Sequence, residues 1–289
     1  MSSKYNVSRF LWLVILASVG VVLAGESGRV EKTFKTTENP RISLSNLKGT
    51  IVIRGWDKSE VHAICITASP RVEIDCEQMP AAGEAEKVHF ATHLLDQGSA
   101  SQSESADYTL DVPTGSSLDI HNPDGTITVD RVNGDQWIES VKAAVSVSDG
   151  AGHVSVRSLN GDIDLIRPTG RVEASSVMGN LVFKASTSPM VRAHTTGSGR
   201  IIFEGNFVPS GDYVLSSYQG NVEISCPASD SFELRARTVH GKVDNELQLN
   251  RKSHVPFSYG SGLFGVHNQG DATVELSSYS GTIHLHPRP

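Results

Sequence analysis

Aromatic residues make up only 6% of this chain. That scarcity speaks against an extended sugar track lined with rings. Like charges never gather into a run, and a formal net charge of -7 over 289 residues is modest. Nucleic acid is therefore not an expected partner. No stretch sustains a 3.6-residue apolar period, so helix should be nearly absent from the mature chain. The Gly-x-Ser-x-Gly elbow of serine hydrolases is missing, as is the Gly-Gly-x-Gly-x-Asp repeat of calcium-binding β-rolls. No cofactor is expected.

Long apolar runs are lacking too, with one exception. Lys4 and Arg9 precede an unbroken apolar and small-residue run from Phe10 to Ala24. The run is about 15 residues, whereas a bilayer core of ~30 Å needs roughly 20 helical residues. The layout is that of a signal peptide, residues 1–24, cleaved after Val22-Leu23-Ala24. No cysteine stands at the cleavage point to take a lipid. The mature chain, residues 25–289, is thus expected to have no membrane span and to be exported to the periplasm or the cell surface of a bacterium.

Export permits disulfides, and the chain has three cysteines, Cys65, Cys76 and Cys226. Two β-rich runs, Val61 to Thr67 and Val72 to Cys76, flank Ser69-Pro70-Arg71. A hairpin centred on Pro70 and Arg71 would set Cys65 opposite Cys76, predicting that bridge and leaving Cys226 unpaired. The alternative is three small buried hydrophobes.

What the sequence does have is glycine in a pattern. Gly125, Gly134, Gly152, Gly161, Gly170 and Gly179 fall on a nine-residue grid from which only Ala143 departs. Most of these positions open a segment of period two, as in Gly125-Thr-Ile127-Thr-Val129 and Gly161-Asp-Ile163-Asp-Leu165. Such alternation buries one side-chain row and exposes the other. Further on, Gly199, Gly220 and Gly241 recur 20 or 21 residues apart, with weaker strands between them at Tyr213 to Leu215 and Phe232 to Ala236. The same unit stands at Gly49-Thr-Ile51-Val-Ile53 and at Gly281-Thr-Ile283-His-Leu285.

The pattern predicts an all-β solenoid of short strands, two per coil of about 18–21 residues, in which stacked coils bury one continuous ladder. Glycine at each strand start serves either a positive φ or a close-packed corner. Two stretches break the rhythm. Residues 78–107, rich in Ala, Ser, Glu and Gln, read as a long mobile loop. Residues at about 250–270, with Pro256 and clustered glycines, read as an irregular insertion in the stack.

Leu47-Lys-Gly49-Thr-Ile51-Val-Ile53-Arg-Gly55-Trp56-Asp57, the strand at Val61, and Leu110-Asp-Val112-Pro113-Thr-Gly115-Ser-Ser-Leu118 lead into the Gly-x-Ile repeats. Together they resemble a bacterial adhesin-like domain family of unknown function, related to proposed auto-transporter adhesin head domains. The resemblance spans roughly residues 30–286. It implies a β-solenoid in the envelope with an adhesion role, and it carries no catalytic residues.

Individual side chains add few candidates. Trp56 suits either a sugar platform or, preferably, a lid on the open end of the first coil, with Asp57 serving the turn. Asp119, Asp124, Asp130, Asp135, Asp149, Asp162 and Asp164 crowd one region but hold different places in the repeat, which reads as solvated turn and face residues. His89 and His93 have the spacing of a helical zinc pair without the accompanying Glu. His284 and His286 share a strand face without a third ligand in view. The open ends of the stack are expected at Trp56 and His286.

The expected function is a non-catalytic exported module of adhesin-like or structural kind, its partner a surface glycan or another envelope protein. The alternative is a polysaccharide-active β-helix enzyme, which would need paired carboxylates in a groove.

Overall fold

The nine-residue rhythm becomes strands that alternate between two facing sheets. The computed structural model describes residues 28–95, 104–251 and 260–288; the expected signal peptide lies outside the described residues. Among the described residues there is no helix. The N-terminal group is β1 (Arg29–Ser45), β2 (Gly49–Trp56), β3 (Glu60–Thr67), β4 (Val72–Met79), β5 (Ala85–Leu94) and β6 (Ala106–Pro113). The regular group runs through β7 (Ser117–Asn122), β8 (Gly125–Asp130), β9 (Gln136–Ser140), β10 (Ala144–Ser148), β11 (Val154–Ser158) and β12 (Ile163–Ile166). It continues with β13 (Arg171–Ser176), β14 (Leu181–Ser186), β15 (Met190–Thr195), β16 (Ile201–Gly205), β17 (Asp212–Ser217) and β18 (Val222–Pro227).

From β7 to β16 each strand pairs in parallel with the strand two places on, never with its sequence neighbour. Even-numbered strands from β8 to β18 form sheet A, and odd-numbered strands from β7 to β17 form sheet B. The chain is a β-solenoid, one coil per pair of strands, with coils about 4.8 Å apart. Inward residues form columns such as Ile127, Val145, Ile163, Leu181, Ile201 and Val222 in sheet A, all essentially buried. Burial of each such side chain contributes about 1.5–3 kcal/mol before chain entropy is counted.

The glycine grid resolves into two columns at opposite corners. Gly125, Ala143, Gly161 and Gly179 precede strands of sheet A, while Gly134, Gly152 and Gly170 precede strands of sheet B. Crowding, rather than a positive φ, accounts for most of them. A Cβ on Gly179 would stand 2.1 Å from the carbonyl oxygen of Gly161, and one on Gly281 would stand 2.1 Å from that of Gly220. A buried hydroxyl three residues earlier fixes the sheet-A corners at Gly161, Gly179 and Gly281. Ser158, Ser176 and Ser278 accept from the N–H groups of Gly161, Gly179 and Gly281 at 2.8, 2.9 and 2.8 Å. The corner is thus written in the sequence as Ser/Thr-x-x-Gly.

The left-handed conformation appears at the exit from sheet A instead. Arg131, Asp149, Arg167 and Ala185 have φ of 55, 54, 50 and 51°, one per coil at an 18-residue spacing. Asp149 and Arg167 offset the strain with a two-pronged ion pair between coils, and the Arg167 guanidinium beside it holds the Asp149 carboxyl below its ordinary range. Ala185 has no such compensation. Left-handed backbone costs a non-glycine residue about 1–2 kcal/mol and glycine loses ~0.5–1 kcal/mol in entropy, so Ala185→Gly is expected to stabilise by up to about 1 kcal/mol. Thermal unfolding should register this as a rise of roughly 2–4 °C.

Both ends of the stack depart from the sequence reading. The last strands are β19 (Phe232–Thr238), β20 (Val243–Asn245), β21 (Asn250–Arg251), β22 (Ser261–His267), β23 (Ala272–Ser278) and β24 (Ile283–Arg288). In space, β23 lies between β17 and β19, and β24 lies between β18 and β20. The final coil in sequence is therefore inserted one place inside the stack, so His286 does not mark an open end. Residues 261–267, expected within an irregular insertion, instead form β22, which lies antiparallel on β19 and carries β21 beyond it. His267 fastens this cap, its two ring nitrogens 2.7 and 3.1 Å from the Gln248 and Ala228 carbonyl oxygens.

At the other end β2 is covered by β6, then by β3 and the first half of β1. Trp56 is consequently no lid on an open coil. It is half-buried at the β2–β3 turn, donates its indole N–H to the Glu60 carbonyl at 2.8 Å and stacks on His62. Residues 85–94, expected within a mobile loop at 78–107, form β5, wedged between β4 and the second half of β1. Val88 and Phe90 are fully buried there, an alternation hidden by the polar residues on either side. The predicted β3–β4 hairpin is absent as well: β3 belongs to sheet A and β4 to sheet B.

Candidate functional site

The outward rows of sheet B carry the most structured surface. From β15 to β19 the rung order is His194, Ser216, Ser277, Arg237, each residue directly beside the next. Four rungs at about 4.8 Å make a floor of roughly 14 Å. Its central hydroxyls, Ser216 and Ser277, are hydrogen-bonded to each other at 3.0 Å.

One wall of this floor is aromatic. Ser217 and Ser278 are register partners, so the residues that follow them, Tyr218 and Tyr279, sit one coil apart. Their rings stack with centroids 4.9 Å apart and planes 5° from parallel, and His240 meets Tyr279 edge-on at 5.1 Å. Both tyrosines remain exposed, at 49% and 42%, and Val239 extends the wall at 41%. On the far side of Tyr218 the next coil offers only Thr196 and Gly197, too small to cover a ring. With Ser261 of β22 closing one end, these residues enclose a groove of about 330 Å³.

The chemistry on offer is a pair of aromatic rings, several hydroxyls, an imidazole and a guanidinium. Among the described residues no carboxylate lines this groove. Such a surface suits a neutral or anionic polyhydroxylated ligand, whose apolar face packs on a ring while its hydroxyls meet serines and arginine.

The wall has a signal in the sequence that the repeat reading passed over. The residue after each buried corner hydroxyl points outward, giving Val141, Leu159, Val177, Tyr218, Tyr279 and Val239 along one edge, each at least 37% exposed. The pairing of the two tyrosines was invisible, because 61 positions separate them in sequence and only the insertion of β23 beside β17 brings them together.

The side chains singled out from sequence lie elsewhere. Of the seven crowded aspartates, Asp119, Asp124, Asp130, Asp149 and Asp164 face Arg41, Lys48, Arg131, Arg167 and Lys184 respectively. Asp135 and Asp162 accept backbone N–H groups of the next coil, from His153 and Asn180. His89 and His93 are on strand β5, with His93 3.2 Å from Asp75. His284 and His286 do share an outward face of sheet A, and each meets a carboxylate, Asp244 at 3.5 Å and Glu223 at 3.4 Å. Among the described residues no three His, Cys, Asp or Glu side chains are grouped to hold a metal ion. Among the described residues no helix is long and apolar enough to cross a membrane.

Comparison with known proteins gives no sequence-level relative: no family model matches the chain, and no curated protein does. Among solved structures, a proposed adhesin from Bacteroides fragilis is similar at 12% identity, covering 90% of this chain and 98% of its own, with a TM-score of 0.49. A proposed adhesin from Parabacteroides merdae aligns at 10% identity over 91% and 98%, TM-score 0.34. A proposed cell adhesion protein from Clostridium sporogenes aligns at 10% identity over 90% and 100%, TM-score 0.28. The site itself is read from this chain's own residues.

Proposed function

We propose that this chain is a non-catalytic, exported envelope or cell-surface protein of adhesin-like kind, and that the tyrosine-walled groove on sheet B is where it binds a surface glycan. The observation that carries the reading is the exposed Tyr218–Tyr279 stack beside the Ser216–Ser277 hydroxyl pair. An exposed aromatic pair beside hydroxyls offers a ring face for the apolar side of a sugar and donors and acceptors for its hydroxyls. Export is supported by Lys4, Arg9 and the apolar run Phe10 to Ala24.

The competing reading, a polysaccharide-cleaving β-helix, calls for two carboxyl groups about 5–9.5 Å apart on either side of a sugar linkage. Among the described residues lining this groove there is no such pair, so the arrangement is not met there. Glycan-array retention followed by mass analysis of the eluted glycan separates the two. Retention of intact glycan is the expected result, and release of shortened products would overturn it.

A further inference from the structure

Cys65 and Cys76 meet in the core although their strands never pair. Cys65 is on β3, beside Val30 of β1 and Tyr108 of β6 in sheet A, and it is fully buried. Cys76 is on β4, opposite Phe90 of β5 in sheet B, and it is partly open to solvent. The turn at Ala68 to Arg71 carries the chain from one sheet to the other, and the two strands converge there. Cys65 lies within the buried core and Cys76 packs against that same core from the facing sheet, close enough for each thiol to shift the other's titration. Strand β4 has β5 as its ladder partner and is the outermost strand of sheet B at this end.

We infer that Cys65 and Cys76 form a disulfide that clasps the edge strand β4 of sheet B to sheet A, while Cys226 remains a thiol. The pairing expected from sequence is kept, but its geometry is different: the bond crosses between sheets instead of lying across a hairpin. An unprotected edge strand is the part of a solenoid most exposed to fraying and to pairing with other chains, and a covalent tie to the opposite sheet counters both.

The environment assigns the two sulfurs different roles. The Cys65 S–H donates to Cys76 and holds that thiol below its ordinary value, with Lys32 acting in the same direction and burial and Asp75 against it. Cys76 is also the accessible one. Its thiolate attacks one sulfur of an external small disulfide such as oxidised glutathione, forming a mixed disulfide and releasing one glutathione thiolate. Cys65, losing its proton, then attacks the Cys76 sulfur and releases the second glutathione. The two protein protons end on the two released glutathione sulfurs, so two thiols are oxidised and one external disulfide is reduced. Cys226 has no cysteine partner, and burial pushes its thiol up to about 12, which removes it from this exchange.

The test uses the unaltered chain. After incubation with oxidised glutathione, the protein is denatured without reductant, alkylated and mapped by peptide mass. The expected result is one alkylated thiol, Cys226, with the Cys65 and Cys76 peptides joined. Reduction should then lower the melting temperature by roughly 5–10 °C, the shift a short closed loop produces in a domain of this size. Three alkylated thiols, a glutathione adduct persisting on Cys76, or any link to Cys226 would overturn the inference. This result stands apart from the glycan reading, since thiol mapping involves no ligand.

Discussion

Gly179→Val is expected to unfold the solenoid about 10 °C below the wild-type melting temperature. The new Cβ would stand 2.1 Å from the Gly161 carbonyl oxygen, an atom of the neighbouring coil's backbone, and 3.0 Å from the Ser176 hydroxyl that accepts the Gly179 N–H. Neither can yield without opening the ladder between β12 and β14, whose rungs run from Ile163–Leu181 to Ile166–Lys184. Strain of this kind belongs to the severe class of point substitutions, about 3–5 kcal/mol, and each kcal/mol moves the midpoint of a domain this large by roughly 2–4 °C. Met178→Val, one residue away on the exposed edge, is the control. It should stay within about 0.5 kcal/mol of the parent. Equal midpoints for Gly179→Val and the parent would show that the corner is not close-packed.

Deleting residues 272–289 is expected to release far more than the coil that is removed. Strand β19 is laddered to β22 and β23, and β20 to β24. Without β23 and β24, the segment from residue 228 to 271 loses its attachment to the stack. In a solenoid each coil is stabilised chiefly by its neighbours, so the coils up to β18 should remain folded. Limited proteolysis of the truncated chain should therefore digest everything after Pro227 and leave a resistant fragment ending near that residue. The newly bared edges of β17 and β18 should also promote association between fragments. Protection of residues 228–271 after the deletion would contradict the inserted-coil topology.

Those two expectations mark where the sequence was legible and where it was not. Local rules wrote the regular coils: a period of two sets which residues face inward, and a close contact with the neighbouring coil's backbone demands glycine at most corners, Ala143 excepted. Strands such as β8, β12 and β14 follow directly from their Gly-x-Ile segments. Order in space is a different matter. Nothing in the local sequence distinguishes Gly281-Thr-Ile283 as an inner coil from Gly241-Lys-Val243 as an outer one, because both share the Gly-x-Ile/Val pattern, although Ile283 is fully buried and Val243 only partly. The position of β23 depends on the long return through β22, a non-local pairing. Strand β5 was obscured for a related reason. Lys87, His89 and His93 make the segment look polar, yet Val88 and Phe90 alternate between them and meet a core supplied by β1 and β4.

The candidate site inherited both properties. Which residues face outward was readable from the alternation along each strand. Which rings come together was not readable, since Tyr218 and Tyr279 become neighbours only through the inserted coil. Trp56 drew attention as the conspicuous aromatic, but its indole N–H is spent on the Glu60 carbonyl and Lys58 lies 4.4 Å over its ring.

The most direct measurement is a titration of an array-selected glycan into the parent chain and into the Tyr218→Ala/Tyr279→Ala double variant. Both side chains are exposed, so the variant should melt within a few degrees of the parent. Stacking on an aromatic ring and the water it excludes contribute about 1–3 kcal/mol at a binding surface, so affinity should fall at least tenfold. An unchanged dissociation constant in a fully folded double variant would remove the groove as the binding surface, and with it the proposed function of this face.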